Sequence, residues 1–161
     1  MPANEQDLSL SGAARPGPGK ILNPQQFGDL GTGADKPVLV ILAAGKGTRF
    51  GTAPKCAQPV GGMPLARHSI DAFKQLSPTP AVCIVGYRHQ EVTNALGEDN
   101  IYVLSDNPTG GTAFAAFEAF SVDRLVEDNP ILILTMGDRI VTTTIFRKLL
   151  ETHQLGSRDA D

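Results

Sequence analysis

The residues most able to do chemistry crowd into one stretch. Leu42-Ala43-Ala44-Gly45-Lys46-Gly47-Thr48-Arg49-Phe50-Gly51 runs on through Pro54-Lys55 to Gln58-Pro59-Val60-Gly61-Gly62-Met63-Pro64-Leu65. Glycines lack a Cβ, so backbone amides can converge on phosphate oxygens, and Lys46, Arg49 and Lys55 place positive charge beside them. From Pro37 to Ile70 there is no acidic residue, while Lys46, Arg49, Lys55 and Arg67 all fall there. An ordinary solvated surface mixes its signs, so the expected ligand of this stretch is an anion.

The loop is not a Walker A sequence, because no glycine stands five residues before Gly45-Lys46 and the Gly-Lys-Ser/Thr triplet is missing. It is a poor dinucleotide fingerprint too, since Gly45-x-Gly47 is followed by Phe50 where a third glycine belongs. A different phosphate cradle is required.

The elements that must position this loop are legible as four short apolar runs: Val38 to Leu42, Ala81 to Val85, Ile101 to Leu104 and Ile131 to Leu134. Nearly continuous apolar runs fit strands covered on both faces. Between the first two, Leu65, Ser69, Ala72, Phe73 and Leu76 make a stripe at helical spacing, with Pro64 suited to the first turn. Glu91 to Leu96 reads as a short helix and Thr112 to Phe120 as a helix buried on most sides. Ile145, Phe146, Leu149, Leu150 and His153 form a last stripe. Strands alternating with helices imply a three-layer, Rossmann-like α/β fold with a mainly parallel sheet. Ligands of such sheets sit beyond the carboxyl ends of the strands, and there the glycines gather: Gly45, Gly47 and Gly51, then Gly86, then Gly110 and Gly111, then Gly137 beside Asp138.

The 161 residues carry a net charge of -3, with 41% hydrophobic and 19% charged residues, which fits one globular unit and excludes a general nucleic-acid binder or a membrane-spanning chain. Residues 1–36, with Pro2, Pro16, Pro18 and Pro24 and no apolar periodicity, read as a flexible N-terminal extension to a domain at 37–161. Cys56 and Cys83 are too few for a disulfide framework and lack zinc-site spacing; with no signal-like apolar segment, a reducing cytoplasm is expected. His68, His89 and His153 stand in no recognisable catalytic signature, and Tyr87, Arg88 and His89 read as solvated loop residues.

At Leu42 to Arg49 and Pro54-Lys55 the chain resembles the sugar-1-phosphate nucleotidyltransferase superfamily, whose signature is a strand followed by Leu-Ala-Ala-Gly-x-Gly-Thr-Arg and a later Pro-Lys. Within it the resemblance is greatest to the pyrophosphorylase domains of bifunctional N-acetylglucosamine-1-phosphate uridyltransferases. The resemblance implies the nucleotide-diphospho-sugar transferase type of fold, and transfer of a nucleoside monophosphate from a nucleoside triphosphate to a sugar 1-phosphate with release of pyrophosphate. It implies that Leu42, Ala43, Ala44, Gly45, Lys46, Gly47 and Thr48 hold the nucleotide, that Arg49 neutralises the departing pyrophosphate, and that Lys55 contacts the α-phosphate and the incoming phosphate. Gly110, Gly111 and Thr112 lie where the family has a base-contacting loop, although Thr112 as a helix cap accounts for them equally well. Asp138 takes the place of a Mg²⁺ ligand; on spacing alone a helix N-cap is the better reading, and the shared crevice favours the metal.

This chain departs from the family wording in two places. Arg139-Ile140 follows Gly137-Asp138, where the family runs through a small or apolar residue to proline, and the base-reading glutamine is missing, with Ser105 or Asn107 as substitutes. The chain stops at Arg158-Asp159-Ala160-Asp161, about where the next strand is expected, so the expectation is the N-terminal half of such a domain. A nucleotide-binding module without independent catalysis, and a cytidylyl- or guanylyltransferase with a non-sugar acceptor, stand as alternatives. An exposed sheet edge would favour a homo-oligomer.

Overall fold

The computed structural model describes residues 19–23, 36–47, 51 and 53–158. In chain order the elements are β1 (Lys20–Ile21), β2 (Val38–Ala43), a 3-10 turn (Lys55–Ala57), β3 (Pro59–Val60), β4 (Met63–Pro64), α1 (Leu65–Lys74) and β5 (Val82–Val85). There follow α2 (His89–Leu96), β6 (Ile101–Leu104), α3 (Gly111–Ala119), α4 (Asp123–Glu127), β7 (Leu132–Met136) and α5 (Thr143–Arg158).

The main sheet runs β1-β6-β5-β2-β7, parallel except for β1. β2 is wholly buried because its apolar run has no polar residue to turn to water. Its alternate residues feed two cores. Leu39, Ile41 and Ala43 pack with Ile70 and Phe73 of α1, Leu96 of α2 and Phe146 of α5. Val38, Val40 and Leu42 pack with Ala115 and Ala119 of α3 and Leu125 of α4. Phe73 meets Phe146 edge-on at 5.3 Å. Burying each ring stabilises the fold by about 2–3 kcal/mol, so this pair fastens α5 to α1.

Strand succession reverses at β2: the chain moves outward through β5 and β6, then returns to pair β7 on the other side. That reversal opens a crevice at the carboxyl ends of β2 and β7, where Leu42 stands opposite Met136.

Several expectations are adjusted. Within the stretch read as a flexible extension, Lys20 and Ile21 pair antiparallel with Leu104 and Val103, and Asn23 bonds the backbone of Asn100 and Tyr102. These backbone bonds at a sheet edge need no apolar periodicity, which is why composition missed them. Pro64 is the N-cap of α1 rather than a first-turn residue, because it also pairs with Pro59 in the β3–β4 hairpin. Helix α3 is not buried on most sides: Phe117 and Phe120 are 63% and 48% exposed, since only one face of a helix can meet the sheet. The α5 stripe is fully covered at Phe146 and partly at Leu150, with Ile145 and Leu149 about half exposed.

Candidate functional site

The site grows from the end of β2. Ala43 and Ala44 are buried, and from Gly45 to Gly47 the chain emerges into solvent. Gly47 has φ +56°, a left-handed conformation, and its α-carbon passes over Lys55: a Cβ there would lie 3.4 Å from that of Lys55. Lys55 opens the 3-10 turn after the extended Pro54.

Opposite stands Asp138, directly after β7. Its neighbour Gly137 donates its N–H to the Leu42 carbonyl at 2.9 Å. A Cβ on Gly137 would lie 3.1 Å from the Cβ atoms of both Ala43 and Cys56, so glycine lets β7 end tightly against β2 and the turn. Lys55 Nζ thereby donates to Asp138 Oδ2 at 2.8 Å. Both side chains are about one-third exposed, so the pair contributes little stability, and its charges face the cleft. Arg139 Nε is 3.8 Å from Asp138 Oδ1, too far for a hydrogen bond.

Two clefts flank Gly45. One, of about 220 Å³, is lined by Gly45, Gly47, Lys55, Cys56, Gly137 and Asp138. The other, of about 140 Å³, is lined by Ala44, Gly45, Asn107, Gly111, Thr112 and Ala115. Leu42, Gly45 and Met136 wall both, so they form two arms of one groove across the end of β2.

The second arm is shaped by Gly86 and by the start of α3. A Cβ on Gly86 would fall 2.7 Å from Pro108 and 2.8 Å from the Ala44 carbonyl oxygen, so the loop around Pro108 closes directly on the end of β2. Gly110 is the N-cap of α3 and supplies no side-chain cap. Thr112 lies inside the first turn and does not cap it, which removes the capping alternative. Asp138 is not a cap either, because α5 begins at Thr143.

Of the expected nucleotide-binding residues, Leu42, Ala43, Ala44, Gly45, Gly47, Lys55, Gly111 and Thr112 line the groove, as does Asp138. Lys46 instead sets its Nζ 5.4 Å from the centroid of the Tyr87 ring, a cation–π contact outside both linings. Gly110 lines neither arm; a Cβ there would lie 2.8 Å from the Phe114 ring and 3.0 Å from Asn107 Nδ2. Thr48 and Arg49 lie outside the described residues. Asn107 lines the second arm, and Ser105 is buried.

Arg67 does not belong to the anion-binding charge. Its guanidinium bonds both carboxylate oxygens of Asp99 at 2.8 and 3.0 Å and Asp71 at 2.7 Å, tying α1 to the loop before β6. Asp99 also pairs with Lys74. Burial opposes ionisation of Asp99, but the bonds and charges of Arg67 and Lys74 outweigh it and hold the carboxyl down at about 2. Cys56 forms the cleft floor, and burial pushes its thiol up to about 11, so it is a wall and not a nucleophile. Sequence reasoning gave no site role to Cys56, which adjoins Lys55, or to Met136 and Gly137, which immediately precede Asp138.

The sequence pattern of the MobA-like NTP transferase domain matches residues 39–160, most of the chain and the whole groove. The chain belongs to the MobA-like NTP transferase family. This MobA-like NTP transferase chain is 36% identical over 114 residues to the bifunctional protein GlmU of Herminiimonas arsenicoxydans, covering 70% of the chain and 25% of that protein. It is 35% identical over 122 residues to GlmU of Bacillus licheniformis, covering 74% and 26%. The chain thus spans about a quarter of the length of the curated relatives it matches. A nucleotidyl transferase from Methanothermobacter thermautotroptrophicus shares the fold, with a TM-score of 0.58 at 23% identity over 73% of this chain and 57% of that one. Rv0371c from Mycobacterium tuberculosis H37Rv does so with 0.57 at 20%, over 73% and 60%. No helix among the described residues of this MobA-like NTP transferase domain is long and apolar enough to cross a membrane.

Proposed function

We propose that the chain is the nucleotide-binding part of a nucleotidyltransferase that moves a nucleoside monophosphate from a nucleoside triphosphate to a sugar 1-phosphate, releasing pyrophosphate. The observation that carries this reading is the meeting of Lys55 and Asp138 at 2.8 Å beside the Gly45–Gly47 backbone, in one arm of a groove whose other arm ends on the start of α3. A base and ribose suit the second arm, and a polyphosphate suits the first.

The attacking sugar phosphate is already an anion, so the chain needs to supply position and positive charge rather than a strong base. Lys55, a compact cation on a flexible stem, can leave Asp138 for a phosphate oxygen at little cost because their pair is partly solvated. Arg49 adds charge toward the leaving pyrophosphate, and its guanidinium fork matches two phosphate oxygens. Among the described residues lining the cleft, Asp138 is the one that offers a carboxylate, and one carboxylate with substrate phosphates is a donor set that fits Mg²⁺. When bound there, Mg²⁺ would neutralise charge on the phosphates. The reading places the protein in the cytoplasm, with small-molecule partners and no nucleic acid.

The decisive experiment separates binding from turnover. Titration with UTP, CTP, dTTP and GTP in the presence of Mg²⁺ should raise the unfolding temperature for at least one of them, and pyrophosphate release should require a sugar 1-phosphate. Absence of stabilisation by every nucleotide would end the reading. The quarter-length match to GlmU favours one further possibility: binding without turnover, restored in a longer polypeptide. Turnover with a non-sugar acceptor alone would instead indicate a cytidylyl- or guanylyltransferase.

A further inference from the structure

We infer that Ser69, a residue of α1 that lines neither cleft arm, is the positioning residue that holds Asp138 over Lys55. The geometry stands by itself; its consequence for nucleotide transfer rests on the proposed function.

Asp138 sits in a turn whose upstream side is secured by the Gly137 N–H on Leu42 and the Arg139 N–H on Met136 at 3.1 Å. Downstream, residues 139–142 form no helix or strand before α5. Val141 is partly buried against the core, but the Arg139 side chain is 75% exposed and Ile140 is 46% exposed, so neither of the two residues after Asp138 can anchor the segment by burial. Ser69 does so. It is fully buried, its hydroxyl donates to the Arg139 carbonyl at 3.0 Å, and it accepts the Val141 N–H at 2.9 Å. A hydroxyl has one proton to give and lone pairs to receive, and here both capacities go to the strand-end loop.

A serine among Ala66, Ile70 and Phe73 on the buried face of α1 gives up apolar packing, which is sustainable only with its polar group satisfied. Its two bonds straddle Ile140, the position at which the family wording has proline. The local stiffness a proline ring would provide within the chain is supplied here from a neighbouring helix. Thr143 extends the attachment by donating to the Ala72 carbonyl at 3.0 Å, so one face of α1 serves as the template for the whole 139–143 segment.

The test compares S69V with S69T, which share a volume and differ in the hydroxyl, with S69A as a smaller variant should the added methyl prevent folding. Three readouts apply: exchange of the Val141 amide, the Asp138 carboxylate position in crystal structures, and Mn²⁺ affinity measured by electron paramagnetic resonance with a non-hydrolysable nucleotide analogue. S69V and S69A should release the Val141 amide, move the carboxylate off Lys55 and weaken Mn²⁺ by about tenfold or more, while S69T restores all three. In turnover, kcat should fall on the order of 10- to 100-fold, with the KM for nucleotide nearly unchanged. An unmoved carboxylate in S69V or S69A overturns the positioning role. If the carboxylate moves while the wild-type chain binds no Mn²⁺–nucleotide, the positioning role stands and the nucleotidyltransferase reading falls.

Discussion

Lys55 and Asp138, 83 residues apart in sequence, share a hydrogen bond of 2.8 Å at the point where β2 and β7 end. The bond is partly solvated, so its importance lies in where it holds the two charges rather than in what it adds to stability.

Replacing either partner should therefore separate function from folding. K55A and D138N should each lower turnover on the order of 100-fold or more, as loss of a charge aimed at a phosphoryl group does. Thermal unfolding should shift by less than about 1 kcal/mol of stability. Steady-state pyrophosphate release and calorimetry on the same preparations check this. A D138N chain with unchanged metal dependence would remove Asp138 from the site.

Gly137 predicts the opposite pattern. A methyl at this position meets Ala43 and Cys56 at 3.1 Å, with the Leu42 carbonyl oxygen at 3.2 Å, so G137A must push β7 away from β2 or the 3-10 turn. Overpacking of this kind costs about 1–3 kcal/mol. G137A should lose stability in urea unfolding and activity together, and a chain with wild-type stability would show that the strand end yields more easily than its contacts indicate.

Acid should act through Asp99. Its carboxyl is held at about 2 in the folded chain against an ordinary 3.8, so the stabilisation it gives is complete above the unfolded value and drains away as pH falls from 3.8 toward 2. D99N, which leaves Arg67 and Lys74 without their shared partner, should be less stable by about 1 kcal/mol at neutral pH. The difference should close across that acid window, and unfolding curves of the two chains at pH 7, 4 and 2 would reveal it.

Cys56 should resist alkylation. With its thiol raised to about 11 by burial, thiolate is scarce at pH 7.5, and iodoacetamide should label the folded chain far more slowly than the urea-unfolded one. Equal labelling rates would mean that the cleft floor opens readily.

Much of this molecule follows from local rules. The four apolar runs became the parallel strands within one or two residues, because a segment with no polar residue can only be a covered strand or a buried helix, and these are short and β-branched. The glycine loop stood out by residue type, while the roles of Lys55 and Asp138 came only from resemblance to a family pattern; the structure gathers Gly45, Gly47, Lys55 and Asp138 around one cleft. Arg67 was misread because sequence shows at most its i+4 partner Asp71, whereas Asp99 reaches it from the loop between α2 and β6. The packing of β1, the diversion of Lys46 onto Tyr87, and the Ser69 clamp all depend on contacts between distant segments. Residue type and spacing determined which groups were available for chemistry. Only the tertiary structure decided which of them face one another, since a hydrogen bond or an ion pair acts over a few ångströms of space and is blind to the number of residues between its ends.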